Sequence, residues 1–288
     1  MEILVLGASG QLGSCIKKVA GETGLDSISF PDENAGNILD REGLRTLFVA
    51  ERPRFVINCA AYTAVDKAED DIELCAEINK NGAENVALLC KEFDAVMVHV
   101  STDFVFAGNQ VGLLKETDAA DPINVYGLTK LEGEMAIAAA LSSHFIIRTS
   151  WLYSEYGNNF VKTMLKLGAE REELSIIADQ IGTPTYAVDL AKAVLTIVKS
   201  GKAAYGTYHY SNEGVTSWYD FAHAIFDLSD TNVRLFPIPT SKYPTRAIRP
   251  KFSVMDKTKI KETFGLEIPY WRDSLTECVS QLAFLAAI

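Results

Sequence analysis

The chain is short of basic residues. Lys and Arg number 27 against 38 Asp and Glu, a formal net charge of −11 over 288 residues. Phosphate backbones and anionic lipid surfaces select basic faces, so neither nucleic acid nor a membrane surface is expected as a partner. Long apolar runs are missing as well: no stretch reaches the ~18 residues that suggest a membrane span. The opening MEILVLGASG has no basic leader and no long apolar segment, so no signal peptide is read there. Cysteine is sparse and unpatterned. Cys15, Cys59, Cys75, Cys90 and Cys278 form no CxxC, which argues against a disulfide framework and a zinc site; buried free thiols in a reducing cytoplasm fit. There is no internal repeat, low-complexity tract or flexible linker.

What remains is an ordinary globular composition, 48% hydrophobic and 23% charged, long enough for one large domain or two coupled ones. Apolar strand-like runs stand at Glu2–Leu6, Phe55–Asn58, Ala95–Val100 and Phe145–Arg148, with a weaker one at Ser27–Phe30. Helix-like segments separate them: Gln11–Ala20, Glu42–Ala50, Ile72–Lys91 and Leu128–Leu141. That alternation predicts an α/β fold, a Rossmann-type doubly wound parallel sheet covered on both faces. After Ser150 the rhythm breaks. A helix to Leu167, a strand at Ser175–Ala178, a helix at Val188–Val198 and a strand at Thr207–Tyr210 are read. Ser217 and Asp220 form a capping pair before Trp218–Phe226, and the last helix spans Trp271–Ala286. Four prolines make Phe236–Pro250 irregular. The expected division is a dinucleotide-binding domain over 1–150, taking part of 175–210, and a smaller interleaved substrate lobe over 151–288.

Gly7, Gly10 and Gly13 follow the first strand and open a helix. A phosphate approaches backbone closely only where no Cβ stands, and the helix N-terminus behind offers free N–H groups. Spaced glycines also make plain tight turns, but the strand–loop–helix context points to a dinucleotide. The acid that would hold a cofactor ribose is less clear. Asp32 lies in an irregular loop, and no Arg between Gly13 and Arg41 awaits a 2′-phosphate, a slight lean towards NADH.

Tyr126 and Lys130 stand four apart at the start of a helical run, hence on one face. A lysine ammonium beside a phenol would lower its pKa and fit it for proton transfer. With 11 tyrosines in the chain, chance alone supplies such a pair; its weight comes from lying downstream of the glycine loop. Ser101, Thr102 and Asp103 follow an apolar strand, where ligands of open α/β sheets sit, although the same residues also build caps and turns.

Together these features resemble the extended short-chain dehydrogenase/reductases. More specific segments, NCAAYTAVDKAE at Asn58–Glu69, VSTDFVF at Val100–Phe106, NVYGLTK at Asn124–Lys130, RTSWLY at Arg148–Tyr153, GNNF at Gly157–Phe160, DQIGTPT at Asp179–Thr185, YPT at Tyr243–Thr245 and RP at Arg249–Pro250, resemble the dTDP-4-dehydrorhamnose reductases. The resemblance covers nearly the whole chain and implies hydride transfer from NADPH or NADH to the 4-keto carbon of a nucleotide sugar. It implies that Tyr126 donates the proton, that Lys130 holds the nicotinamide ribose and tunes Tyr126, and that Thr102 binds the keto oxygen with Asp103 supporting the sugar. Gly7, Gly10, Gln11, Leu12 and Gly13 would face the pyrophosphate, and Ala60, Ala61 and Thr63 would line the cofactor cleft. Trp151, Asn159 and Arg249 would belong to the nucleotide-sugar site.

Plainer alternatives stand beside these. Trp151 has the alternative of a lobe-boundary aromatic, Arg249 that of a surface charge, and Asn158 and Asn159 that of turn residues. His99 reads as a satisfied core histidine, Asp66 and Glu69 as cap and helix-face residues, and the tyrosines from Tyr205 to Tyr210 as packing residues. The chain departs from the family pattern at Phe104, often Tyr, which keeps open another nucleotide-sugar reductase or epimerase. A non-catalytic subunit like the regulatory β subunit of methionine adenosyltransferase is a further alternative, disfavoured by the intact Thr102, Tyr126 and Lys130. Some members carry glutamates that bridge a dimer through magnesium; here those positions read as Cys15 and Val188, which cannot replace a hard carboxylate ligand. A monomer or weak homodimer is expected, with no resident metal.

Overall fold

A computed structural model of the chain describes residues 2–110 and 112–286. Its centre is a parallel sheet. Strand β1 (Ile3–Leu6) is buried throughout, with β2 (Ile28–Ser29) on one side of it. On the other side follow β3 (Phe55–Asn58), β4 (Val96–Thr102) and β5 (His144–Thr149). Such continuous apolar runs suit strands covered on both faces. Beyond β5 the chain leaves the sheet through four strands: β6 (Leu152–Tyr153), β7 (Glu173–Ile177), β8 (Ile181–Gly182) and β9 (Thr185–Tyr186). It returns as β10 (Gly206–His209), which pairs parallel with β5 and completes the order β10-β5-β4-β3-β1-β2. The last strands stand apart: β11 (Thr216–Ser217) on β8 and β12 (Arg234–Ile238) on β7.

Helices cover both faces. On one face α1 (Gln11–Glu22) packs Ile16 and Val19 into the large core cluster; on the other, α2 (Arg41–Glu51) places Leu44 and Phe48 against β1 and β3. Short α3 (Val65–Ala68) follows β3. The single helix expected over 72–91 is divided into α4 (Ile72–Ala76), a π-helical turn at Glu77–Gly82, and α5 (Ala83–Glu92). The widened turn carries Asn79, whose Oδ1 accepts the Tyr62 N–H at 2.8 Å and whose Nδ2 donates to Thr129 Oγ1 at 3.2 Å. Interior polar contacts thus override a pattern that reads as plain α-helix. Next come α6 (Val125–Ala140), α7 (Phe160–Glu170), α8 (Ala187–Ser200), which packs on α1, α9 (Trp218–Leu228), α10 (Thr258–Phe264) and α11 (Trp271–Ala286).

Two further expectations are corrected. Residues Phe236–Ile238 are not irregular but belong to β12; Pro237 is tolerated because β12 pairs with β7 alone and needs no second ladder. Strand β4 runs on to Thr102, so Ser101 and Thr102 end the strand and Asp103 opens a 3₁₀ turn, Asp103–Val105. The capping pair at α9 is present: Ser217 Oγ accepts the Asp220 N–H at 3.0 Å and donates to its carboxylate at 2.6 Å. All five cysteines are free, four of them buried. Among the described residues no helix is long and apolar enough to cross a membrane.

Candidate active site

The strand order reverses between β1 and β3, where α/β sheets bind ligands. Gly7 turns there with φ +72°, and a Cβ on it would lie 2.5 Å from the Ala60 nitrogen. The loop after β1 therefore touches the loop after β3, and only glycine fits the contact. Behind it α1 begins at Gln11, with Gly10 in the cap position. The first-turn N–H groups of a helix lack intrahelical partners and suit a phosphate. Leu12 and Gly13 are buried beneath this turn, while Ala60 and Ala61 are half-buried and Thr63 is exposed along the loop after β3. Asp32 closes its own turn, its Oδ1 accepting the N–H groups of Asn34 and Ala35 at 3.0 and 2.9 Å.

Helix α6 is started from two sides. Asn124 Oδ1 accepts the Gly127 N–H at 2.7 Å, and Glu69 Oε1 accepts the Val125 N–H at 2.9 Å. Glu69 is thus a cap, on another helix than its own. Gly127 lies so close to the Phe104 carbonyl that a Cβ would collide with it. That close approach seats Tyr126 against the end of β4, its ring edge-on to Phe104 at 5.6 Å. Thr102 Oγ1 accepts the Phe104 N–H at 3.2 Å and donates to Asp103 Oδ1 at 3.1 Å. Asp103 is buried, and its Oδ2 has no hydrogen-bond partner among the described residues. Burial pushes the Asp103 carboxyl up to about 6, with Ser253 and Thr102 working against the rise. Ser101 is turned elsewhere, onto the Glu134 carboxylate that Arg148 also holds.

The expected tuning of Tyr126 by Lys130 is corrected. Burial raises the Tyr126 phenol above its ordinary range; the Thr102 side chain opposes this, while Asp103 and Cys75 add to it. Lys130 takes interior partners instead. Its Nζ donates to the Val100 carbonyl at 2.7 Å and lies 3.1 Å from His99 Nε2. Helical spacing put both side chains on one face, but a fully buried amino group turns to the nearest polar partners, which β4 supplies.

Beyond Tyr126, Asn124 Nδ2 donates to the Ile248 carbonyl at 2.8 Å and ties α6 to the segment carrying Arg249. Arg249 helps line a cavity of about 850 Å³, together with Asp66, Phe160, Trp218, Lys242 and Tyr243. Arg249 binds Asp66 with two nitrogens, so Asp66 is neither a local cap nor a free helix-face charge. Trp151, at φ +46°, stacks on Trp218 with centroids 3.6 Å apart and planes 9° from parallel. Asn159 belongs to the scaffold: Oδ1 caps α7 at Lys162, and Nδ2 donates to Gln11 Oε1 at 2.8 Å and to the Ser154 carbonyl at 2.7 Å. Thr102, Asp103 and Tyr126 are therefore brought together, Lys130 sits one helical turn deeper, and Arg249 flanks the neighbouring cavity. Sequence reading missed Trp218, Lys242 and Phe160; only the crowding of aromatics and prolines in the second half marked their regions.

The family described as the RmlD substrate binding domain matches residues 1–284. The chain is 39% identical to a dTDP-4-dehydrorhamnose reductase of Aggregatibacter actinomycetemcomitans, over 95% of this chain and 96% of that protein. Among solved structures it is similar to a dTDP-4-dehydrorhamnose reductase from Clostridium acetobutylicum, 40% identical with TM-score 0.93, over 98% of this chain and 100% of that one. A dTDP-4-dehydrorhamnose reductase from Bacillus anthracis, solved in complex with NADP, matches at 38% identity and TM-score 0.93 over the same shares.

Proposed function

Because the chain belongs to the RmlD substrate binding domain family, we propose that it reduces the 4-keto group of dTDP-4-dehydro-β-L-rhamnose to give dTDP-β-L-rhamnose, using NADPH or NADH. The observation that carries this reading is the meeting of Thr102 and Tyr126 at the end of β4, between the Gly7 loop and the cavity lined by Arg249. The nicotinamide cofactor, when bound, supplies the hydride. Tyr126 gives its phenolic proton to the alkoxide formed at C4. Its raised pKa suits a donor, because the phenol is protonated at neutral pH. Thr102 orients the keto oxygen by turning towards it the hydroxyl proton that rests on Asp103 in the free protein. Lys130 holds the cofactor ribose. The amides of Gln11, Leu12 and Gly13 receive the pyrophosphate beside the turn that Gly10 closes on the Gly7 carbonyl, with Ala60, Ala61 and Thr63 along the same cleft.

Arg249 and Lys242 offer the positive charge for a nucleotide diphosphate, while Trp218, stacked on Trp151, offers an aromatic wall. Asn159 acts by holding Gln11 and α7 in place. Residues 1–150 with β10 form the dinucleotide half, and 151–288 mainly the sugar lobe. Cys15 and Val188 are buried between α1 and α8, so neither faces outward to a partner or a metal. We take the protein as a cytoplasmic monomer or weak homodimer without a magnesium bridge, binding neither nucleic acid nor membrane. The test is oxidation of NADPH and NADH with enzymatically generated dTDP-4-dehydrorhamnose. Turnover is expected with wild type; its absence with both cofactors would sink the reading.

A further inference from the structure

Three buried side chains, Asn58, His99 and Lys130, meet in succession in the interior, Lys130 one helical turn on from Tyr126 in α6. The register of β3 on β4 sets Asn58 directly beside His99. Asn58 Nδ2 lies 3.2 Å from His99 Nδ1, and Lys130 Nζ lies 3.1 Å from His99 Nε2. The Asn58 amide is oriented from behind, because its Oδ1 accepts the Ala60 N–H at 3.1 Å.

A neutral imidazole has one donor nitrogen and one acceptor. With the Asn58 amide donating to Nδ1, the ring proton sits on Nε2 and points at Lys130. An amine has a lone pair to receive it; an ammonium has none. The arrangement without conflict runs one way, from Ala60 N–H through Asn58, His99 and Lys130 to the Val100 carbonyl. Charging Lys130 sets two donors face to face. Switching the His99 tautomer moves that clash to Asn58, and turning Asn58 moves it to Ala60. Each costs a buried hydrogen bond.

The surrounding charges leave this intact. Burial holds His99 well below its ordinary range, with Lys130 and His144 adding to the fall. Burial also lowers Lys130 to about 8, against opposition from Glu134 one turn on in α6, Cys59 after β3 and Cys75 in α4. Glu134 is already engaged by Arg148 and Ser101.

We infer that Asn58 and His99 are positioning residues that favour the uncharged amine of Lys130 in the cofactor-free protein, so that charging Lys130 costs its hydrogen bond with His99. The inference deepens the reductase reading and rests on it only where turnover is measured. Nitrogen-15 NMR of the cofactor-free wild type near about pH 9, where an ordinary lysine is still charged, tests it directly. The His99 ring is expected to carry its proton on Nε2 alone, and Lys130 Nζ to show an amine shift. His209 is the internal reference, since its Nδ1 faces the Leu114 carbonyl at 3.1 Å and must carry the proton there. His99→Gln and Lys130→Met assign the signals. A His99 proton on Nδ1, or an ammonium at Lys130, overturns the inference. The pH profile of kcat/KM for the cofactor reports free-enzyme groups. In His99→Leu its basic limb is expected to move to higher pH; a slower, folded variant with an unmoved limb would deny His99 the positioning role. A wild type without turnover would sink the reductase reading and leave the NMR result standing.

Discussion

Arg249 grips Asp66 across 183 residues of sequence, at 2.6 Å through one nitrogen and 3.1 Å through the other. The Ala247 N–H donates to the same carboxylate at 3.0 Å. The clasp joins α3 to the segment carrying Arg249, both at the rim of the sugar-side cavity. Arg249 is mostly shielded, while Asp66 stays nearly half exposed, so solvent screening keeps the pair to ~1 kcal/mol or less of stability. The guanidinium holds the Asp66 carboxyl below its ordinary range. A depressed carboxyl stabilises above its unfolded pKa, and that contribution fades as pH falls through the folded value. Asp66→Asn should therefore match wild-type melting in acid and fall slightly below it at neutral pH.

Removing the arginine should act on binding more than on folding. Arg249→Ala is expected to raise KM for the nucleotide sugar roughly tenfold or more, as loss of a charged hydrogen bond does, with melting nearly unchanged. A KM equal to wild type would remove Arg249 from the site.

Tyr126→Phe should keep cofactor affinity, measured by fluorescence titration, and lose roughly 10²–10⁴-fold in kcat. The ring still packs on Phe104, so the fold should survive. Comparable rates would deny Tyr126 its proton.

Gly7→Ala should fail twice over. The new methyl meets Ala60 at 2.5 Å, and the positive φ strains any side chain. A stability loss of about 2 kcal/mol or more is expected, with cofactor binding abolished in whatever folds.

Asp103 gives the opposite pH sign to Asp66. Its folded carboxyl is raised from 3.8 to about 6, so the native state holds the proton longer than the unfolded chain. Stability should fall as pH rises between those values, by about 3 kcal/mol at most. Asp103→Asn should flatten that slope in calorimetric melts and raise stability near neutrality. A melting profile parallel to wild type would refute the assignment.

The parallel sheet, the glycine loop and the shared helix face of Tyr126 and Lys130 were legible in the sequence because each rests on local spacing, whereas Thr102 joined Tyr126, 24 residues away, only through the family resemblance. Strand runs, a loop between strand and helix, and an i, i+4 pair are read within a few residues. The partners of Lys130 were not legible. Spacing shows which face a side chain leaves by, not which acceptor lies beneath, and Val100 and His99 come from a strand thirty residues away. Arg249 was visible as a cation but not as the partner of Asp66, for the same reason. Asn159 was read towards the sugar site, whereas its amide is spent on Gln11 and Ser154, contacts that only the folded lobe creates.

The π-helical turn at Glu77–Gly82 works as a gear change within a helical stretch. One residue more than an α-turn rotates everything after it by about 100° relative to what precedes. Upstream, Cys75 meets Thr129 on α6; downstream, Val86, Leu89 and Cys90 face the sheet. A single stretch can thereby face two different neighbours. Deleting one residue inside the turn would close the gap in the ladder and swing one of those faces out into water.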